Sequence, residues 1–247
     1  MKEVVGLKPD VIMVRGAPAT RMMKDSTSDI PIIMVGVGDP VRFGLIASLA
    51  RPGGNVTGTA ALEGEVQAKV LDLLHEMAPR VTSVAIFVNP NNEGTAFYVT
   101  TGREAASKLG LRVQVLEVRS PGEFDNAFAD IASARTDSIL VATEGLIQSQ
   151  RKRIAEFALA RRIPCVVHVT GGLPPDLGEL LTYGPIASEY VRLTASYIDR
   201  ILKGAKPADL PTEQVAKFKL IINVNTATAL GLTIPQSLLV RADQVIQ

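Results

Sequence analysis

Two hydrophobic rhythms alternate along this chain. Short apolar-rich runs predict strands at DVIMV 10–14, SVAIFV 83–88, VQVLEV 113–118, SILVA 138–142 and PCVVHV 164–169, and the continuous apolar run PIIMV at 31–35 predicts one covered on both faces. Between them, apolar residues recur every three or four positions, as on one face of a helix. Val66, Val70, Leu73, Leu74 and Met77 predict a helix over 65–77 that Pro79 ends. Phe124, Ala127, Phe128 and Ile131 predict another behind the capping box Ser120-Pro121-Gly122-Glu123. Further helices are expected over 18–24, over 95–109 with Gly110 as the stop, and from the Thr143-Glu144-Gly145 loop to about residue 162. Pro185 is expected to open a long helix to residue 203, with Tyr190, Thr194, Tyr197, Ile198 and Ile201 on its apolar face. Asp39-Pro40 predicts a short helix with Val41, Leu45 and Leu49 inward, after which NVTG at 55–58 resumes extended chain. A short strand is expected at 180–183. Near the end, Phe218, Leu220, Ile222 and Val224 alternate with Lys217, Lys219, Ile221 and Asn223, a strand with one wetter face, before helices at 226–230 and 237–245.

This βαβα order is that of a doubly wound parallel sheet. It breaks near 58–65 and again near 183–185, which predicts two similar lobes joined by crossing segments. The 247 residues are 47% hydrophobic, enough to bury a sizeable core. Twenty-six basic residues against twenty-five acidic leave no basic field for nucleic acid or an anionic membrane surface. Aromatics make up only 4% and Trp is absent, so base-stacking platforms are not expected. The lone Cys165 allows neither an internal disulfide nor a cysteine metal cluster and reads as a buried inert thiol. No run reaches the roughly 18 apolar residues of a membrane span. Met1 leads directly into Lys2-Glu3-Val4-Val5, without the pattern of an export signal.

The strand-end loops carry what chemistry the sequence offers. Gly36-Val37-Gly38-Asp39-Pro40-Val41 starts like a dinucleotide fingerprint but has Val41 where the third glycine belongs. No motif of a nucleotide-binding loop, zinc protease, serine hydrolase or redox pair occurs. Of the two histidines, His75 reads as a solvated surface residue, and neither lies near a clear nucleophile. No catalytic residue, metal site or cofactor is expected. What remains is a set of small and polar residues beside helix starts, suited to a carboxylate or another small anion. Arg15, Ala17, Pro18, Ala19 and Thr20 form one group; Val37, Gly38 and Asp39 a second; Asn89, Asn92, Gly94 and Thr95 a third; Thr143 and Glu144 a fourth; His168 and Thr170 a fifth. Each has a plainer reading beside it. Asp39 and Thr95 can be caps, the asparagines turn residues, Glu144 a partner of a helix dipole, His168 a rim residue and Arg15 a solvated edge residue.

The phrases LKPDVIMV, IPIIMVGVGDPV, ASLARPGGNVTG, VAIFVNPNN, LKGAKPADLP and KFKLIINVNTATALGLTIPQSLLVRAD resemble ABC-transporter substrate-binding proteins of the tryptophan-binding-like family. The resemblance runs from about residue 7 to 246. It implies an α/β fold of two Rossmann-like lobes with parallel sheets, like type I periplasmic binding proteins, the first lobe incomplete at its N-terminus. The expected lobes are 1–60 with about 186–212, and 61–185 with about 213–247, with hinges near 58–61, 181–184 and 210–215. The implied function is capture of a small amino-acid-like or aromatic or carboxylate solute in an interlobe cleft, in the periplasm, for ABC permease subunits, with no catalysis and no cofactor. By position the resemblance marks Pro18, Ala19, Thr20, Val37, Asp39, Asn92 to Thr95, Thr143, Glu144, His168 and also Tyr183. Family members begin with an export signal, a strand–helix unit and a second strand, all lacking here. The first lobe is therefore expected to expose a sheet edge and to lose stability or self-associate through it. Ala17 stands where the family has Thr, after Arg15-Gly16, which predicts a shift towards anionic solutes. Two other classes stay open: a small-metabolite enzyme on a doubly wound fold, and the effector-binding domain of a transcription regulator.

Overall fold

A computed structural model describes residues 2–168 and 173–247. The end of the strand expected to reach Val169, and the candidate Thr170, lie outside the described residues. In chain order the elements are α1 (Lys2–Gly6), β1 (Ile12–Arg15), α2 (Ala17–Ser26), β2 (Ile32–Val37), β3 (Val56–Ala60), α3 (Glu63–Met77), β4 (Ser83–Val88) and α4 (Thr95–Lys108). They continue with β5 (Arg112–Glu117), α5 (Phe124–Ala134), β6 (Ile139–Val141), α6 (Gly145–Ser149), α7 (Arg151–Ala160), β7 (Cys165–His168) and β8 (Leu181–Pro185). The last are α8 (Ala187–Leu202), β9 (Glu213–Gln214), β10 (Phe218–Asn223), α9 (Val224–Leu230), α10 (Gln236–Arg241) and β11 (Gln244–Ile246). The chain divides into two compact units, Met1–Glu63 with Ile186–Lys217 and Gly64–Pro185 with Phe218–Gln247. The residues expected to bend at 58–60 and 181–184 lie inside β3 and β8; the chain passes between units just after them.

The first unit is built on a parallel sheet in the order β1-β2-β3-β9, with β1 at its edge. Ile12, Ile32, Met34 and Val56 face one core with Met23 of α2. Ile33 faces the other, with Tyr190, Leu193, Tyr197 and Ile201 of α8. A one-residue bulge interrupts β2: Met34 pairs with Gly58 but Val37 pairs with Ala60, so three steps on β2 match two on β3. The extra residue reverses the alternation and returns Val37 to the Met34 face. Gly36, at φ 64, supplies the left-handed backbone of the bulge. Only glycine fits at 58, where φ is 135 and a Cβ would fall 2.1 Å from the Met34 carbonyl oxygen.

The short helix expected after Asp39-Pro40 is a single turn. The Phe43 amide reaches the Asp39 carbonyl at 3.0 Å, but Gly44 then turns left-handed at φ 63 and ends the helical path. Leu45 is buried in the core as expected, whereas Val41 is exposed.

The second unit carries a sheet in the order β11-β10-β8-β7-β6-β4-β5. Neighbours run parallel except β8 and β10, which run antiparallel. Ala85, Phe87, Ile139, Val141, Cys165 and Val167 face a core closed by Phe124 and Ile131 of α5 and Ile154 of α7. Cys165 is there as the buried thiol, its pKa pushed up by burial. On the other face Ile86 of β4 and His168 of β7 lie against α4. Gly102 lets α4 approach, since a Cβ there would fall 2.5 Å from Gln67 Nε2 and 3.1 Å from Ile86 Cδ1.

Four further expectations differ from the structure. Pro185 ends β8 instead of opening a helix, because it pairs with Phe218 across the antiparallel ladder. The helix expected to reach about 162 is two, α6 and α7, parted at Gln150. The wetter face of β10 is confined to its start; Leu220 to Asn223 are buried because β10 lies inside the sheet. The helix expected over 237–245 stops at Arg241. Asp243 then ties the chain to β10, its amide on the Leu220 carbonyl at 2.9 Å and its Oδ2 accepting the Leu220 amide at 2.8 Å.

Candidate functional site

In the first unit the candidates gather at the carboxyl ends of β1 and β2, which are adjacent strands, where open parallel sheets take ligands. Arg15 ends β1 and is exposed; Pro18 is exposed and Ala19 half-buried in the first turn of α2. Thr20 is fully buried, and its hydroxyl donates to the Gly16 carbonyl at 2.7 Å, so it braces the helix start. Val37 is buried in the core. The half-buried Asp39 acts as the cap that its position allowed, Oδ1 accepting from the Arg42 amide at 3.0 Å.

Two residues that the sequence reading passed over stand at the same place. Tyr190 of α8 lies over Gly36, and a Cβ on Gly36 would come within 3.4 Å of its ring. Its hydroxyl is buried without a hydrogen-bond partner among the described residues, and burial pushes its pKa up to about 12. Glu63, the first residue of α3, sets its carboxyl against Gly38. Burial pushes that carboxyl up to about 7, with no charge or hydrogen bond among the described residues offsetting it. The available signal was the pair of glycines two residues apart, read as turn permission when they also make room for other side chains.

In the second unit the candidates lie at the carboxyl ends of β4, β6, β7 and β8, consecutive in the sheet once the order β8-β7-β6-β4 is followed. Asn89 Nδ2 donates to Glu144 Oε1 at 3.3 Å, joining the loops after β4 and β6. Glu144 Oε2 accepts from the Ile147 amide at 3.1 Å and so caps α6. Thr143 beside it is half-buried. The start of α4 closes on itself: Asn92 Oδ1 takes the Gly94 amide at 2.9 Å, and the Thr95 hydroxyl donates to the Asn89 carbonyl.

His168 and Tyr183 are register partners on β7 and β8. His168 is not a rim residue: it is 2% exposed and stacks on Tyr98 of α4, ring centroids 6.3 Å apart. Burial holds its pKa down to about 4, so the ring is neutral near pH 7, and Nδ1 has no partner among the described residues. The half-buried Tyr183 stacks on Phe218 at 5.7 Å; burial, then the charge of Asp243, raise its hydroxyl pKa. His75, expected in solvent, is half-buried, and its buried Nδ1 has no partner among the described residues.

His168 lies against an aromatic ring instead of a nucleophile, and Asp39 and Glu144 serve backbone amides. Among the described residues, no group of three His, Cys, Asp or Glu side chains is placed to hold a metal ion. No helix among them is long and apolar enough to cross a membrane.

The sequence profile described as ABC transporter substrate binding protein matches residues 1–246. A "Tyrosine-binding protein" of Clostridioides difficile is 27% identical over 225 residues, 91% of this chain and 64% of that protein, so the chain spans less than two thirds of this relative. Among solved structures, an ABC domain from Streptococcus pneumonia in complex with L-Trp has a TM-score of 0.89 at 27% identity, covering 99% of this chain and 81% of that one. A conserved domain protein from Vibrio cholerae has a TM-score of 0.90 at 26% identity, with the same coverage. A LacI family transcriptional regulator from Bifidobacterium animalis, at 12% identity and a TM-score of 0.63, covering 88% of this chain and 80% of its own, shares the fold alone. Two α/β units on largely parallel sheets and a family match spanning the chain lead to one conclusion: it belongs to the ABC transporter substrate-binding proteins and has the type I periplasmic-binding fold.

Proposed function

We propose that this protein is the solute-capturing component of an ABC import system, working outside the cytoplasmic membrane, and that its solute is an amino acid, with aromatic ones favoured. The observation that carries this reading is the pairing of polar atoms with aromatic rings at the carboxyl ends of both sheets. Tyr190 provides both in the first unit; in the second, His168 provides an Nδ1 without a partner among the described residues, and Tyr98 and Tyr183 provide rings. Rings there suit an apolar side chain, and unpartnered polar atoms suit a charged or hydrogen-bonding head. The relatives point the same way, one named for tyrosine and one solved with L-Trp.

Capture works through closure. A solute that touches both units favours the state in which both reach it, and its binding energy shifts the population towards that state. The closed form then docks on the permease, and the solute is released unchanged. The test is a thermal-shift panel of amino acids, aromatic acids, small carboxylates and sugars. Amino acids should raise the melting temperature, aromatic ones most. A rise with sugars alone would overturn the assignment.

A further inference from the structure

β2 ends in Gly36-Val37-Gly38, and each glycine admits a polar side chain from elsewhere in the first unit. At Gly36 it is the Tyr190 phenol: a Cβ would stand 3.5 Å from the hydroxyl. At Gly38 it is the Glu63 carboxyl: a Cβ would fall 2.3 Å from Oε2. Tyr190 is 5% exposed with its hydroxyl unpartnered among the described residues, an arrangement that a native structure retains for a reason. Arg15, at the end of the neighbouring β1, and Glu63 both act on Tyr190 electrostatically, in opposite senses. The Tyr190 hydroxyl and the Glu63 carboxyl therefore stand along one backbone stripped of its own side chains, with the Arg15 cation acting on Tyr190 from the end of β1.

We propose that Glu63, Tyr190 and Arg15 form the subsite for the zwitterionic head of an α-amino acid: Glu63 takes the ammonium, Arg15 the carboxylate, and the Tyr190 hydroxyl a hydrogen bond from or to the head. The assignment rests on the reading of the protein as an amino-acid binder. It explains why a carboxyl that burial makes hard to ionise is kept without an ion-pair partner among the described residues: the ligand brings the cation. It also explains Gly38, whose backbone is not left-handed and would otherwise accept alanine.

The test is calorimetric titration near pH 7.5 with L-tryptophan, tryptamine, which lacks the carboxylate, and indole-3-propionate, which lacks the amine. Glu63→Gln should weaken L-tryptophan and tryptamine at least tenfold and leave indole-3-propionate within about twofold. Arg15→Ala should do the reverse, weakening L-tryptophan and indole-3-propionate and sparing tryptamine. Gly38→Ala, which displaces the Glu63 carboxyl, should reproduce the Glu63→Gln pattern with the melting temperature kept. Equal losses for all three probes, or none, would overturn the subsite while leaving amino-acid capture intact. A wild-type protein that binds no amino acid would overturn that reading and the subsite with it.

Discussion

The Tyr190 hydroxyl stands 3.5 Å from where a Cβ on Gly36 would be. The contact exists because a bulge turns Gly36 towards α8 and because residue 36 has no side chain. Tyr190→Phe keeps the ring and removes only an unsatisfied buried hydroxyl. Unfolding free energy should stay the same or rise by up to about 1 kcal/mol, while affinity for an amino acid falls. Urea denaturation and calorimetry on the same variant check both halves.

Gly58→Ala should be among the most damaging single changes in the first unit. The added Cβ would sit 2.1 Å from the Met34 carbonyl oxygen, a backbone atom that cannot swing aside, at a φ of 135. Clash and strain together should cost about 2–4 kcal/mol, read as a lowered urea midpoint.

Protonation should act on stability with two opposite signs. The folded pKa of His168 is depressed from 6.5 to about 4. Its contribution is therefore fully present above pH 6.5 and lost as pH falls towards 4. The Glu63 pKa is raised from 4.5 to about 7. Its contribution is present below pH 4.5 and lost as pH rises through 7. Each slope is at most about 1.4 kcal/mol per pH unit, and they oppose one another where the windows overlap. Urea denaturation at pH 7, 6 and 5 should show His168→Gln gaining stability relative to wild type on acidification and Glu63→Gln losing it. Differences sloping the same way would contradict the two assignments.

A buried ion pair braces the turn that leads into β8 and Tyr183. Arg151, 7% exposed, bonds through Nε to Glu179 Oε1, and its Nη2 donates to the Pro174 carbonyl at 2.6 Å. Glu179, fully buried, takes the Leu177 amide on Oε2 at 3.1 Å. Arg151→Met should cost about 3–5 kcal/mol by stranding the carboxylate, and Arg151→Met with Glu179→Leu markedly less. A double-mutant cycle by chemical denaturation measures the coupling.

The strands and most helices were legible because burial imposes a period that residues 83–88 or 124–131 cannot hide. Boundaries failed where a long-range bond outweighed local preference: Asp243 pulls the end of the chain onto β10, and Phe218 holds Pro185 in a strand. The strand-end loops could be read because parallel sheets put them at one edge. Which side chains face a solute there could not. Thr20 and Val37 turn into the core, while Tyr190 was hidden in the apolar stripe of α8. Glu63 lies far in sequence from Gly38, and a bulge that shifts register leaves no periodic trace.

The most direct measurement is calorimetric titration of the purified protein with single amino acids, followed by mass spectrometry of the recovered solute. Solute capture predicts one saturable site per chain, an aromatic amino acid among the tightest, and solute returned chemically unchanged. No binding to any amino acid, or recovery of a converted product, would contradict it.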